Sequence, residues 1–429
     1  MIIGERGDKL HLKTTLDNGL RLITSPMPHT RSVSICIFLA VGSRYETSAE
    51  AGISHFIEHL CFKGTSRRAT PRDIAEAIEG VGGILNAAAD RELTFYWCKV
   101  ARPHFLLALD VLADILLHSR LDLADIERER QVIMEEIHAV KDSPYQRVGI
   151  LTDELLWPDH PLGRDVAGNE ESVFAITRDM IKSFLGSRYL PANTVVAIAG
   201  DIQHEEVVGA VKEAFGGWAN RQPAGGYLAY EARPNPRLRI EARDTEQTHL
   251  SLALPGLPLL HPKRYTLDLL NTILGEGMSS RLFVEIRDNL GLAYSISSYV
   301  EHLHDTGAVV IYAGVEHAKL TVAIKAILEQ LALLNRPVPE SELTKAKELS
   351  KGRLLLRMED SRSVAGWTGG QEILTNRILD IDQVVSIIDA ITAEEVARLA
   401  RELLVGEQLR LAVVGPVEDG DKLEGLLRL

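Results

Sequence analysis

Along the chain, apolar positions switch between a spacing of two and a spacing near 3.6, so strand-like and helix-like segments alternate throughout. Leu20 to Ser25 and Val33 to Val41 read as strands, and the unbroken apolar run from Ile35 to Val41 reads as a buried one. Thr70 to Val81 predicts a helix, with Pro71 in its first turn and Gly82-Gly83 beyond its end. Asn86 to Val100 alternates in parts like a strand. Phe105 to His118 and Leu123 to Val140 follow the helical period.

The pattern then repeats. Val195 to Asp201 reads as a strand followed by a helix from Glu205 to Phe215. Leu409 to Pro416 reads as a second such strand, followed by a helix from about Gly420. Gly200 and Gly415 stand 215 positions apart (415 − 200), about half of the 429 residues, which points to a duplicated domain and not to a solenoid. Residues 216–236 hold Gly216-Gly217, Pro223, Gly225-Gly226, Pro234 and Pro236, the composition of a linker. Two domains are therefore expected, 1–215 and 237–429, which suits a length beyond one ordinary core.

Composition narrows the function classes. The chain is 45% hydrophobic and 25% charged, typical of a water-soluble globular protein. Its net charge of −13 argues against a nucleic-acid partner. No apolar run approaches the roughly 18 residues of a membrane span. The N-terminal stretch from Met1 to Arg6 has neither a signal-peptide core nor a transit-peptide character. Cys36, Cys61 and Cys98 form no C-x-x-C pair and no even disulfide framework, so they read as small core hydrophobes in a reducing cytoplasm.

The chemistry-bearing segment is Gly52-Ile53-Ser54-His55-Phe56-Ile57-Glu58-His59-Leu60. Residues four apart share one helix face, so His55 and His59 can grip one zinc ion, with ring nitrogens roughly 2.0–2.1 Å away. Glu58 lies three residues after His55 on the same face, in the H-x-x-E-H order. Upstream, Thr47 or Ser48 is expected to cap this helix, with Glu50 at its positive end. The bland alternative is a helix with two solvated or core histidines. A catalytic zinc takes a third protein ligand, and Leu123 to Val140 offers Glu127, Glu129, Glu135 and Glu136. Glu129 and Glu136 lie two turns apart on one face, but spacing does not choose among the four.

His55-Phe56-Ile57-Glu58-His59, followed after 76 residues by Glu136 within Glu129-Arg130-Gln131-Val132-Ile133-Met134-Glu135-Glu136-Ile137, resembles the pitrilysin-type inverzincin metallopeptidases. The nearest flavour is the mitochondrial-processing-peptidase-like branch and its bacterial relatives. Phe62-Lys63-Gly64-Thr65 and Gly83-Ile84-Leu85-Asn86-Ala87 fit the same pattern. So does the second half, with Leu274-Gly275-Glu276-Gly277-Met278-Ser279-Ser280-Arg281-Leu282-Phe283 as a glycine-containing loop. Glu276 departs from the pattern where glycine is expected, and puts that loop's flexibility in doubt. The resemblance covers the chain from about Leu20 to the C-terminus.

The resemblance implies an α+β fold of two homologous α/β-sandwich-like domains facing each other across a chamber. It singles out Glu136 as third ligand to one Zn²⁺ per chain, with Glu129 as its acidic supporting residue and Glu58 as general base. Arg287 and Tyr294 match a substrate-binding arginine and tyrosine, and Asn86 and Ala87 would belong to an edge strand that pairs with an extended peptide. The implied activity is hydrolysis of peptides or presequence-like segments, in a homodimer or in a heterodimer with an incomplete homologue. A non-catalytic scaffold or partner subunit of the same fold, or a zinc hydrolase of non-peptide substrates, are the rival expectations.

Overall fold

The computed structural model describes residues 11–222, 224–417 and 420–429; the stretch from Met1 to Arg6 and the linker's Pro223 lie outside the described residues. Strands β1 (Leu12–Thr15), β2 (Arg21–Pro26), β3 (Ser32–Leu39), β4 (Ile84–Ala89), β5 (Thr94–Ala101) and β6 (Thr194–Gly200) form one sheet in the order β1-β2-β6-β3-β5-β4. Strands β7 (Leu238–Ala242), β8 (Thr248–Pro255), β9 (Ala293–His302), β10 (Gly307–Val315) and β11 (Arg410–Gly415) form another, in the order β7-β11-β8-β10-β9. With β1 set aside, the two orders are identical. The parallel pair β2–β6 matches β7–β11, and every antiparallel pair recurs. The repeat read from Gly200 and Gly415 is therefore a duplication of whole sheet topology.

Both glycines end equivalent strands for a steric reason. Gly200 has φ +138°, and a Cβ there would lie 2.1 Å from the Ser32 carbonyl oxygen. Gly415 has φ +159°, and its Cβ would lie 2.8 Å from Thr248 Oγ1. Only a residue without a side chain lets these chains pass so closely.

The alternating run from Asn86 to Val100 resolves into the hairpin β4–β5, closed where Asp90 N–H donates to the Leu93 carbonyl. Helices α1 (Ile53–Cys61), α2 (Pro71–Glu79), α3 (Phe105–Leu117), α4 (Leu123–Asp142) and α5 (Pro144–Leu156) follow the periodic segments. Thr70 caps α2 in a reciprocal box with Asp73. Residues 216–236 form no helix or strand among the described positions.

The two compact units are not consecutive halves of the chain. One takes residues up to Glu135, Val166–Tyr227 and Leu355–Asp380; the other takes Glu136–Asp165, Leu228–Leu354 and Ile381–Leu429. In the first, helix Ser361–Thr375 lays Val364, Ala365 and Ile373 on Cys36, Phe38 and Ala197 of β3 and β6. In the second, α5 packs Val148, Leu151 and Leu155 on Ala412 and Val414 of β11. Each sheet thus buries its apolar face with a helix from the other half of the sequence.

All three cysteines are buried and unbridged, and burial pushes Cys36 and Cys98 up to about 12 and Cys61 to about 11, so they stay protonated. No helix among the described residues is long and apolar enough to cross a membrane.

Replacing Gly200 with alanine is expected to destabilise the first unit by about 2–4 kcal/mol, through backbone strain and the contact with Ser32. Thermal unfolding reads this as a lowered first transition; an unchanged curve would refute the close approach.

Candidate metal centre

Helix α1 does not begin where the polar run before it predicts. Thr47 and Glu50 close a separate short turn, in which Thr47 N–H donates to Glu50 Oε2 at 3.0 Å. The cap of α1 is instead Glu46, whose buried carboxylate accepts from Gly52 N–H and Ser54 N–H, both at 2.8 Å. This satisfies first-turn donors and places negative charge at the positive end of the helix. Gly52 must be glycine here. It has φ +93°, and a Cβ would lie 2.4 Å from the Ala167 carbonyl oxygen. Gly168 returns the constraint, since its own Cβ would lie 2.4 Å from the Ala51 carbonyl. Glu46 is not recognisable from local sequence, because the cap spans six and eight residues and depends on how the Gly52–Gly168 crossing folds the turn.

The apolar side of α1, with Ile53, Phe56, Ile57 and Leu60, is buried, and the other side leaves His55, Glu58 and His59 half-buried. These three offer ligand atoms that all lie within 4.8 Å of one another. The imidazole rings are 4.6 Å apart, and Glu58 Oε2 is 4.0 Å from His55 Nε2. Burial, and secondarily the neighbouring His59, holds His55 down to about 4, so near pH 7 its ring is neutral and keeps a lone pair for a metal.

Glu129 on α4 orients the other ring. Its Oε2 stands 3.2 Å from His59 Nδ1, and its Oε1 stands 2.9 Å from Lys63 Nζ. A carboxylate facing Nδ1 assigns the proton to that nitrogen and leaves Nε2 as the ligand atom. Arg130, the next residue, anchors α4 at this depth. Its guanidinium is buried, lies 5.5 Å from the Phe56 ring of α1, and donates to the carbonyls of Val173, Phe174 and Ile176 at the end of helix Glu170–Ala175. Of the other acids on α4, Glu127 pairs with Arg130 along the helix, while Glu135 and Glu136 are exposed. Glu136 sits two turns beyond Glu129 on the same stripe, about 10 Å along the axis.

Two ring nitrogens plus carboxylate oxygens, with no thiolate, make a donor set that zinc accepts. The residues present fit that ion.

Strand β4 is the outer strand of its sheet and α1 packs beside it. Asn86 and Ala87 lie on it, and Asn86 Oδ1 accepts from Ala87 N–H at 2.7 Å. The expected edge strand is therefore present.

In the second unit, helix Arg264–Gly275 stands between β8 and β9 as α1 stands between β3 and β4, yet it carries no histidine. Arg287 and Tyr294 come together nearby. The Arg287 guanidinium lies 5.2 Å from the Tyr294 ring centre and 4.6 Å from that of Phe283. Register explains the exposure of Tyr294. Gly314 faces Ser295 and Val315 faces Ala293, so Tyr294 is the extra residue of a β-bulge and is 78% exposed. The pair lines a recess of about 350 Å³ that also includes Gln247 and Lys319. Glu276, the departure in the glycine loop, forms an ion pair with Arg353 and accepts from Thr272 Oγ1 at 3.0 Å, so it ties the loop to two helices.

Comparison with known proteins matches residues 21–170 to the family described as insulinase (peptidase family M16), and residues 175–350 to the peptidase M16 inactive domain. An uncharacterised zinc protease of Mycobacterium leprae is 40% identical over 423 residues, covering 97% of this chain and 94% of its own. A crystal structure of a Helicobacter pylori protease superposes with a TM-score of 0.86 at 24% identity, covering 95% of this chain and 99% of the other. A peptidase M16 inactive domain from Pseudomonas fluorescens superposes with a TM-score of 0.88 at 18% identity, covering 96% and 99%. The two structures share the fold.

Glu129→Gln is expected to weaken zinc binding 10- to 100-fold by loosening His59, as read by competition with a chromogenic chelator. Unchanged affinity would remove Glu129 from the site. The metal-free protein is expected to lose stability as pH falls from about 6.5 towards about 4. In that window the unfolded His55 binds a proton that the folded one resists. His55→Asn should flatten that part of the thermal profile.

Proposed function

Because this chain belongs to the insulinase-type M16 family of zinc proteases, we propose that it is a zinc-dependent endopeptidase acting on extended peptides or unfolded, presequence-like segments. The observation that carries this reading is the convergence of His55, Glu58 and His59 on one face of α1, with His59 oriented by Glu129. A scaffold built on the same fold would have no need of that oriented set.

His55 and His59 would hold the zinc, with Glu136 as the third ligand by its match to the family's third-ligand helix and its place on the Glu129 stripe of α4. Zinc supplies Lewis acidity, which polarises a carbonyl and lowers the pKa of water towards about 7. Glu58 takes the proton from the attacking water at its carboxylate and delivers it to the leaving amine. Its position on the same half-buried face as both imidazoles suits this role. Strand β4, with Asn86 and Ala87, offers main-chain hydrogen bonds to an extended peptide. Such pairing reads backbone and tolerates varied side chains.

Arg287 is assigned to a main-chain carbonyl of the substrate, and Tyr294 to the carbonyl oxygen that becomes negative in the transition state. The bulge that turns Tyr294 outward, and the guanidinium against its ring, support this assignment. With both on the chain that carries the histidines, a homodimer would be self-sufficient and a heterologous subunit would not be required.

Glu58→Gln is expected to keep stoichiometric zinc while kcat falls on the order of 10²- to 10⁴-fold on a mixed peptide library, and chelation should abolish cleavage by the native protein. Full activity in Glu58→Gln with zinc retained would sink the assignment. Tyr294→Phe is expected to lower kcat on the order of 10²-fold with little change in KM.

A further inference from the structure

The segment that leaves α1 is held more firmly than a connecting loop requires. Thr65 Oγ1 accepts from the N–H groups of Arg67 and Arg68 at 3.1 and 2.8 Å, and donates to Asp114 Oδ2 of α3 at 2.7 Å. The Asp114 carboxylate is fully buried, and it also takes Arg67 Nε at 3.1 Å and Arg68 Nη1 at 2.6 Å. One turn earlier on α3, Asp110 takes the other ends of both guanidiniums, each at 2.6 Å. Two acids on one helix face thus clamp two consecutive arginines, and the four charges cancel. Beside the clamp, Arg120 N–H donates to the Gly64 carbonyl at 3.1 Å. Gly64 has φ +134°, and a Cβ there would lie 2.5 Å from the Ala69 carbonyl oxygen, so the turn excludes a side chain.

Lys63 stands between this clamp and the end of α1. Its Nζ lies 2.9 Å from Glu129 Oε1, and its side chain is 28% exposed against 4% for Glu129. A lysine on a free loop, paired with an exposed acid, holds its geometry weakly. Here the backbone next to the lysine is fixed and the acid is buried. We propose that Lys63 is a positioning residue of the candidate metal centre and that Asp114 is its remote anchor. With Oε1 held by Lys63, the Glu129 carboxylate presents Oε2 to His59 Nδ1. Asp114 acts on His59 through this relay, because it fixes residues 65–68 and they fix where the Lys63 side chain starts. The inference rests on the zinc-binding reading of His55 and His59, and extends it to a carboxylate on a third helix.

Zinc affinity of the full chain, read by competition with a chromogenic chelator, tests the relay without peptide cleavage. Lys63→Met is expected to weaken zinc about 10- to 100-fold, and the double variant with Glu129→Gln should be no weaker than Glu129→Gln alone. Lys63→Arg, which keeps the charge, should recover most of the loss. Asp114→Asn should weaken zinc roughly three- to tenfold in the native background and add nothing beside Lys63→Met. Thr65→Val, which leaves both arginines clamped, gives the same reading if Asp114→Asn does not fold. A clamp with a structural role alone would lower the unfolding temperature and leave zinc affinity unmoved, and that result would overturn the proposal. Zinc bound with additive losses overturns the relay while the peptidase reading stands. Zinc bound with the coupling intact but no peptide cleaved supports the relay and overturns the peptidase reading.

Discussion

The candidate site depends on one buried carboxylate shared between two partners. Glu129 is almost inaccessible to water, and an ionised acid in that position is costly unless both oxygens are satisfied. His59 takes one oxygen and Lys63 the other. Because His59 is on α1, Lys63 follows α1 and Glu129 is on α4, this single group fixes the spacing of the two helices. It also fixes the tautomer of one candidate ligand and the path of the chain that leaves α1. Arg130 and Glu46 perform the matching tasks at the next residue of α4 and at the start of α1. Both replace missing backbone partners with charged side chains.

Duplication gave the chain two copies of one sheet topology but not two copies of the chemistry. The helix after β3 carries His55, Glu58 and His59; the helix after β8 carries none of them. The second unit instead has a β-bulge that turns Tyr294 outward and an arginine lying against its ring. The shared backbone framework thus carries different side chains in its two copies.

Local periodicity carried the elements expected between Leu20 and Val140 and around Gly200 and Gly415, because strands and helices bury one face at their own spacing; it set no expectation for the elements from β7 to helix Ala393–Leu403. It gave the strand and helix cores within a residue or two, and it failed at two kinds of place. The run from Asn86 to Val100 was legible as extended but not as a hairpin, since the turn at Asp90 to Leu93 lacks a strong glycine signal. The cap of α1 departs from the local pattern because Thr47 and Glu50 form a sound local capping box, and only the crossing of Gly52 with Gly168 shows that this box belongs to a different turn.

Local sequence was enough to find the candidate metal-binding pair, its glutamate and the duplication. H-x-x-E-H places three side chains on one helix face by helix geometry alone, and a strand ending in glycine recurs half a chain later. Spacing left open which acid on α4 meets His59, since Glu127, Glu129, Glu135 and Glu136 differ in what they pack against and not in kind, and it is the fold that brings Glu129 to that ring. Only the tertiary structure showed that each sheet is covered by a helix from the opposite half, α5 on one and Ser361–Thr375 on the other. An apolar helix face specifies that it must be buried, but the surface that buries it is set by shape and chain path, which no local pattern encodes.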